Sequence, residues 1–238
     1  MENLDSVNKY LSDYDVSLEE LRKDYAQIRG VYTAAINEIN VRLQTLDREF
    51  SFRNRHNPIH HIKSRVKSLN SIIKKLGDMG VPISISSAKK NLHDIAGVRV
   101  ICRYVDDIYR IANLLLAQDD ISLIMEKNYI ENPKPNGYRS LHIVVDVPVY
   151  MTMGKLYTTV EIQIRTVAMD FWATLEHGIR YKATEEVPQS VIDELRECAD
   201  VITETDAKMQ NIFKALQQVH DADDPTRYDP MLSDYIKI

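Results

Sequence analysis

The sequence has few of the features that would place a protein in a membrane or outside the cell. Only two cysteines are present, Cys102 and Cys198, and their apolar neighbours predict two buried free thiols. No run of about 18 apolar residues occurs, which excludes a transmembrane helix. The N-terminus is acidic and lacks the basic-then-apolar order of a secretory signal. We therefore expect a cytoplasmic protein.

Flexible linkers and excess positive charge are also lacking. Seven glycines and eight prolines among 238 residues leave little room for long linkers, and the length suits one large domain with a helical appendage. The net charge of −5 argues against a general DNA or membrane binder. Phe50 to Gly77 nevertheless contains no Asp or Glu and carries seven Lys or Arg residues. This basic island indicates either a local anion site or a solvated charged surface.

Hydrophobic periodicity predicts an α+β fold. Apolar residues spaced by three and four follow a capping box at Ser17 and Glu20 and predict one long helix. Further helices are expected over about 68–76, from a cap at Asp106, over 166–181 and from Ser190. Strands are expected at 59–67, 98–102, 121–125, 141–149 and 157–164. The pattern predicts a mixed five-stranded sheet flanked by helices, with a helical segment at each end and an acidic surface tail from His220.

Two groups of residues could bind a phosphorylated ligand. Arg65 and Lys67 project from the same face of a strand, while Ser71 and Lys75 share one face of the helix that follows. Together they could line a triphosphate cradle at a helix N-terminus, although no glycine-rich Walker sequence is present. Arg99 stands in an apolar strand and therefore needs a partner.

Carboxylates and an aromatic loop add candidate chemistry. Asp94 precedes a buried strand, and Glu161 and Gln163 point the same way from another, so the two carboxylates could share one Mg²⁺. A turn residue and a solvent-facing strand edge are the structural alternatives. Tyr138 follows the Pro133–Gly137 loop and could stack on a base or simply be half-buried. The seven histidines form no zinc motif.

The order of these motifs and the residues within them resemble those of a known family. RVKSLNSIIKK, HDIAGVRVIC, PKPNGYRSLH, EIQIRT and AMDFWATLEH are similar to the synthetase domain of the RelA/SpoT family, the (p)ppGpp alarmone synthetases. HNPIHH and the terminal helices resemble the RelP-type small synthetases. The resemblance implies a nucleotidyltransferase-type sheet, with a helical extension at 1–54, a synthetase domain at 55–182 and a C-terminal helix and tail at 183–238. The segment before the motifs is too short for the hydrolase domain of the long members.

The resemblance also implies an activity and a site. The family transfers the β,γ-pyrophosphate of ATP to the ribose 3′-hydroxyl of GDP or GTP in the stringent response and releases AMP. By resemblance, Asp94 and Glu161 hold Mg²⁺, and Glu161 also orients or deprotonates the attacking hydroxyl. The implied ATP ligands are Arg65, Lys67, Ser71, Lys75 and Arg99, with the two arginines sandwiching adenine. The implied guanine-nucleotide ligands are Lys134, Asn136, Tyr138, Arg139, His142, Gln163 and Arg165.

Some implications are less direct. A homotetramer is expected by analogy with close relatives. Asp78 replaces a basic residue of some relatives, so the grip on ATP could differ, and Asp170 is left outside the predicted site because relatives vary there. The alternatives are a catalytically silent regulator that binds guanine nucleotides or RNA, and a nucleotidyltransferase with another acceptor. The paired carboxylates argue against the first, and the Tyr138 loop argues against the second.

Overall fold

The computed structural model describes residues 10–12, 14, 17–54, 56–182 and 187–223. Within these residues the chain forms a five-stranded sheet and six helices of at least seven residues. The helices are α1 (Leu18–Asn54), α2 (Leu69–Asp78), α3 (Ile85–Asn91), α4 (Val105–Leu116), α5 (Val167–Lys182) and α6 (Gln189–Asp223). The strands are β1 (Ile59–Val66), β2 (Ala96–Cys102), β3 (Ser122–Asn128), β4 (Leu141–Met151) and β5 (Gly154–Thr166). None of the described helices is both long and apolar enough to span a membrane.

The strands lie in the order β1-β2-β5-β4-β3. β2 and β5 pair in parallel, whereas the other three pairings are antiparallel. The last strand in sequence is therefore the central strand of the sheet. This arrangement confirms the predicted mixed sheet with helices at both ends.

The sheet has one apolar and one polar face because side chains alternate along each strand. On β5, Val160, Ile162 and Ile164 are fully buried in the main core. Ala35 and Ile39 of α1 are equally buried in the same core, because α1 packs across the sheet. The opposite face carries the polar side chains that alternate with these residues. α1 therefore supports the sheet, and one face remains for chemistry.

The C-terminal helix α6 is fastened to the rest of the fold by polar contacts. Thr166 at the end of β5 donates from its hydroxyl to Asp206, and Trp172 of α5 donates from its indole nitrogen to the carbonyl of Leu195. Near the other end of α6, Phe213 stacks on Tyr104 with the ring centroids 4.3 Å apart. These contacts make α6 part of the folded unit.

Several local predictions need correction. α4 is capped at Tyr104, whose backbone N–H donates to Asp107, and not at Asp106, which lies in the first turn and pairs with Lys214. Cys102 is buried as expected, but Cys198 is exposed because it lies on the outer side of α6. The seven-residue helix α3 was not predicted at all.

The ends of the chain are only partly covered by the description. α6 continues to Asp223, past the point where the tail was expected to begin, and residues 224–238 lie outside the described residues. The same is true of residues 1–9 and of the expected boundary at 183. The three-part division of the chain stays a prediction, and α1 contributes directly to the core beneath the sheet.

Candidate active site

Side chains from four neighbouring strands meet on the polar face of the sheet. Lys63 of β1 lies opposite Arg99 of β2, which in turn lies opposite Gln163 of β5. Gln163 lies opposite His142 of β4. Residues directly opposite each other project from the same face. Because Arg65 and Glu161 both lie opposite Gly97, they belong to this face as well.

Asp94 is held at the edge of this face by two lysines. Its Oδ2 atom accepts from Lys67 Nζ at 2.9 Å and from Lys75 Nζ at 2.8 Å. Burial acts to raise the pKa of Asp94, but the two lysines outweigh it and hold the pKa below its ordinary value. The buried Oδ1 atom has no hydrogen-bond partner among the described residues. The carboxylate is thus ionised near neutral pH, with one oxygen still available to a ligand.

Glu161 is the second carboxylate of the site. Its Oε2 atom accepts from Gln163 Nε2 at 3.0 Å, and its Oε1 atom lies 3.4 Å from His142 Nδ1. Burial acts to raise the pKa of Glu161, and the contacts with His142 and Gln163 overcome it, so the pKa is lowered. The negative charge of Asp94 is among the influences that raise this pKa. Glu161 is therefore ionised as well, in the electrostatic field of Asp94.

This pair of carboxylates fits a hard divalent cation. The unpartnered Oδ1 of Asp94 is a buried oxygen without a donor, and carboxylate oxygens are the ligands that Mg²⁺ prefers. The described residues contain no cluster of three or more His, Cys, Asp or Glu side chains that could form a complete protein cage. Mg²⁺ commonly binds through one or two carboxylates, with substrate phosphates supplying further ligands.

The basic residues of β1 and α2 form the corner next to Asp94. Ser68 caps α2 by accepting from the backbone N–H of Ser71 at 3.2 Å, and the two hydroxyl oxygens lie 2.9 Å apart. This cap places Ser71 in the first turn of α2 and Lys75 one turn later. Arg65 is exposed on the edge strand beside them. The predicted cradle residues are thus neighbours in the fold.

The aromatic loop between β3 and β4 lies at the other side of the face. The ring of Tyr138 has Lys134 Nζ 4.8 Å from its centroid and the guanidinium carbon of Arg165 at 5.5 Å. The hydroxyl of Tyr138 lies 2.9 Å from His142 Nε2. A neutral His142 can accept from this hydroxyl at Nε2 and donate from Nδ1 to Glu161. The loop is thereby connected to the second carboxylate.

Two predicted ligands point instead towards the helices that hold the loop. Asn136 donates from Nδ2 to Glu176 of α5 at 3.0 Å. Arg139 donates to the carbonyl oxygen of Gly137 at 3.3 Å and to Asp200 of α6 at 3.2 Å. In this conformation both side chains brace the loop, so their assignment as guanine-nucleotide ligands stays a prediction.

Sequence reasoning placed Asp170 outside the site, but three cations surround it. Its carboxylate lies 3.5 Å from Arg99, 3.5 Å from Arg165 and 3.8 Å from Lys63. The sequence did contain a signal, because Arg99 in an apolar strand required a partner. α5 begins directly after β5, which puts its first turn over the strand end where the cations project.

These features define a class of protein. Two ionised carboxylates, a group of lysines and arginines and a cation-flanked aromatic ring together suit a phosphorylated ligand that carries a planar ring, as a nucleotide does.

Comparisons with known proteins make the identification specific. The family model described as "Region found in RelA / SpoT proteins" matches residues 64–186. The GTP pyrophosphokinase YwaC of Bacillus subtilis strain 168 is 44% identical over 197 residues, which cover 83% of this chain and 94% of that protein. The chain belongs to the RelA/SpoT family.

Solved structures agree with this assignment. The crystal structure of small alarmone synthetase 2 from Bacillus subtilis superposes with a TM-score of 0.73 at 44% identity and covers 81% of this chain and 99% of that one. Small alarmone synthetase 1 from the same organism, bound to its product pppGpp, has a TM-score of 0.75 at 33% identity and covers 82% and 99%. Its complex with AMPCPP has a TM-score of 0.70 at 32% identity, with the same coverage.

Proposed function

We propose that this chain is a GTP pyrophosphokinase that makes (p)ppGpp. It transfers the β,γ-pyrophosphate of ATP to the ribose 3′-hydroxyl of GDP or GTP and releases AMP. The observation that carries the proposal is the pair of ionised carboxylates, Asp94 and Glu161, on a face lined with cations. The pyrophosphokinase and synthetase names of relatives that match over most of the chain support it.

The donor nucleotide binds at the corner of β1, β2 and α2. Arg65 and Arg99 stack on adenine through their planar guanidinium groups. Lys67 and Lys75 bind the phosphates, and each ammonium has enough donors to serve Asp94 at the same time. Ser71 adds a hydroxyl at the first turn of α2, where the helix dipole favours an anion.

Asp94 and Glu161 would hold a magnesium ion at the reacting phosphates. When bound, the ion neutralises phosphate charge as it builds up during transfer. Lys67 and Lys75 approach the same Oδ2 atom of Asp94, and the Oδ1 atom has no hydrogen-bond partner within the described part of the chain, so it is available to the ion while the lysines face the phosphates. Positioning and electrostatics supply most of the catalysis in phosphoryl transfer.

The acceptor nucleotide binds at the aromatic loop. Tyr138 stacks on guanine, and a group of polar residues contacts the ribose and phosphates: Lys134, Asn136, Arg139, His142, Gln163 and Arg165. Glu161 accepts the proton of the ribose 3′-hydroxyl while the hydroxyl oxygen forms a bond to the β-phosphorus of ATP. The bond between that phosphorus and the α,β-bridging oxygen breaks, and AMP leaves with the bridging oxygen. His142 and Gln163 keep Glu161 ionised for this step.

Turnover by the purified protein tests the proposal. ATP, GDP and Mg²⁺ should yield AMP and ppGpp in equal amounts, and chelation of the metal should stop both. Nucleotide binding without AMP formation would favour the silent regulator that binds guanine nucleotides or RNA. AMP released without a guanosine product would point to a different acceptor.

The proposal extends to assembly and location. An exposed apolar row along α5, formed by Val167, Phe171, Leu175 and Ile179, supports self-association into the expected homotetramer. No DNA partner is proposed, in keeping with the net charge of −5. A cytoplasmic location stays a prediction.

A further inference from the structure

Asp170 is the meeting point of charges from three adjacent strands. Lys63 of β1, Arg99 of β2 and Arg165 of β5 all approach its carboxylate, which is only 14% exposed. One negative charge is thus shared among three positive ones. The cations cannot all be neutralised by Asp170, so its position affects each of them.

The contacts with Asp170 are too long to lock any of the three cations against it, although Arg165 also donates to Gln163 Oε1 at 2.8 Å. The two arginine nitrogens lie 3.5 Å from Oδ1 of Asp170, whereas strong charge-assisted hydrogen bonds measure about 2.7–2.9 Å. The buried Nε atoms of Arg99 and Arg165 also have no hydrogen-bond partner among the described residues. Both guanidinium groups are therefore held near one carboxylate with donors to spare.

The two arginines belong to different halves of the proposed site. Arg99 lies on the donor side, opposite Lys63, while Arg165 lies against the ring of Tyr138 on the acceptor side. Burial lowers the pKa of Arg165 and the charge of Arg99 lowers it further, whereas Asp170 acts in the opposite direction. Asp170 thus offsets the repulsion between two guanidinium groups that both lie 3.5 Å from its Oδ1 atom.

We propose that Asp170 is a positioning residue that shares its carboxylate between Arg99 and Arg165 and so couples the donor and acceptor sites. The inference rests on the proposed function. When adenine draws Arg99 into a stack, the carboxylate turns to Arg165 and fixes it beneath Tyr138, which prepares the guanine site. By thermodynamic linkage, bound GDP raises the affinity for ATP by the same factor.

Equilibrium binding tests the inference without turnover. The affinity for GDP is measured by calorimetry with and without an ATP analogue that carries an α,β-methylene bridge, in the presence of Mg²⁺. In the wild-type protein the analogue should raise the affinity for GDP about fivefold or more. In Asp170→Asn, which keeps the size of the side chain but removes its charge, the difference should fall to within about twofold.

A matched control separates this role from a general charge effect. Asp193→Asn makes the same change of charge on the exposed surface of α6, where Asp193 accepts from Gln189, and it should keep the wild-type coupling. If Asp170 only repels nucleotides, Asp170→Asn will bind each nucleotide more tightly alone and keep the coupling. That result, or a wild-type protein without coupling, overturns the inference.

The outcome is distinguishable from a failure of the proposed function. Wild-type protein that binds both nucleotides cooperatively but makes no ppGpp refutes the activity alone. Wild-type protein that makes ppGpp while Asp170→Asn retains full coupling refutes the positioning role alone. Thermal unfolding of both variants confirms that the fold is intact before the affinities are compared.

Discussion

Glu161 is ionised because its immediate neighbours compensate for its burial. His142 and Gln163 supply hydrogen bonds that outweigh the cost of removing the carboxylate from water, so its pKa is lowered. A proton acceptor must be unprotonated when substrate binds, and Glu161 meets that condition near neutral pH. The same neighbours fix the direction in which its oxygens point.

Replacing Glu161 tests this role directly. Glu161→Gln keeps the size of the side chain and can still pair with Gln163 or His142, but it cannot take up the proton. We expect kcat to fall by about 10²–10⁴-fold, while the affinities for ATP and GDP stay within about threefold. Initial rates and calorimetry on the same preparation measure both quantities. Wild-type turnover in this variant contradicts the assignment.

Tyr138 can be tested with two substitutions. Tyr138→Ala removes the ring and should raise KM for GDP by about tenfold, since stacking contributes about 1–3 kcal/mol per base. Tyr138→Phe keeps the ring and loses the hydroxyl together with its contacts to His142 and Ser140, so its KM for GDP should remain near the wild-type value. A defect confined to ATP would place the ring at the donor site.

At the scale of elements, α5 and α6 determine where the acceptor loop lies. Asn136 is bonded to Glu176 of α5, and Arg139 is bonded to Asp200 of α6. Gly137 is buried against α6 with a φ of 90°. A shift of α6 would therefore move the loop that presents Tyr138.

Gly137→Ala tests how closely the loop and α6 must approach. A Cβ atom at this position would lie 2.6 Å from the Cβ of Ala199, and the positive φ adds strain. We expect a loss of about 2–3 kcal/mol of stability and a raised KM for GDP. Gly154→Ala is the control, because Gly154 also has a positive φ, 114°, but an added Cβ would meet no other described residue within 4 Å beyond its chain neighbours. Equal effects in both variants would show that the contact with α6 does not matter.

The contact between Asp206 and Thr166 predicts a dependence of stability on pH. Burial raises the pKa of Asp206, and the hydrogen bond from Thr166 only partly opposes it. The folded protein therefore holds this proton more firmly than the unfolded chain, and this contribution to stability falls as pH rises from about 4 through the raised pKa. Asp206→Asn keeps an acceptor for Thr166 and should be more stable than the wild-type protein at neutral pH.

Urea unfolding at about pH 4 and about pH 7 measures this effect on the free energy of unfolding. Asp206→Asn lacks the carboxyl group whose pKa is raised, so its stability no longer depends on that proton. The stability of the variant should therefore fall less between these two pH values than that of the wild-type protein. Asp193→Asn, on the exposed side of the same helix, should follow the wild-type curve. An identical change in stability with pH for all three proteins would contradict the prediction.

Sequence reasoning worked where a pattern is local. Alternation along Val160 to Ile164 revealed β5, and Ser17 and Glu20 marked the start of α1 because the cap lies within four residues. The exposure of Cys198 was missed, since helical spacing does not say which side of a long helix meets the core. The convergence on Asp170 was missed because it requires the register of three strands.

At the scale of the whole molecule, apolar residues remain exposed on the outer helices. In addition to the row on α5, Val201 and Ile212 of α6 are exposed. Exposed apolar rows of this kind are typical of surfaces that bind another protein. A second copy of the chain is the partner that the proposed tetramer requires.

Leu175→Glu tests this surface. Wild-type protein should have the mass of four chains in light scattering, and the charged side chain should lower that mass, because a buried unpaired charge is costly at an interface. Met153→Glu is the control, since Met153 is 95% exposed at the turn between β4 and β5. A wild-type monomer, or an unchanged mass in Leu175→Glu, contradicts the assignment of the interface.

The position of β5 also governs when activity can first appear. Asp94 lies just before β2, and Glu161 lies in β5. These two strands pair in parallel, and β5, the later one in sequence, occupies the middle of the sheet. During synthesis the earlier strands must wait for residues 154–166 before the sheet can close, since non-local pairings form late. A nascent chain that has not yet supplied this segment lacks Glu161, so we expect no transfer from ATP before residues 154–166 have joined the sheet.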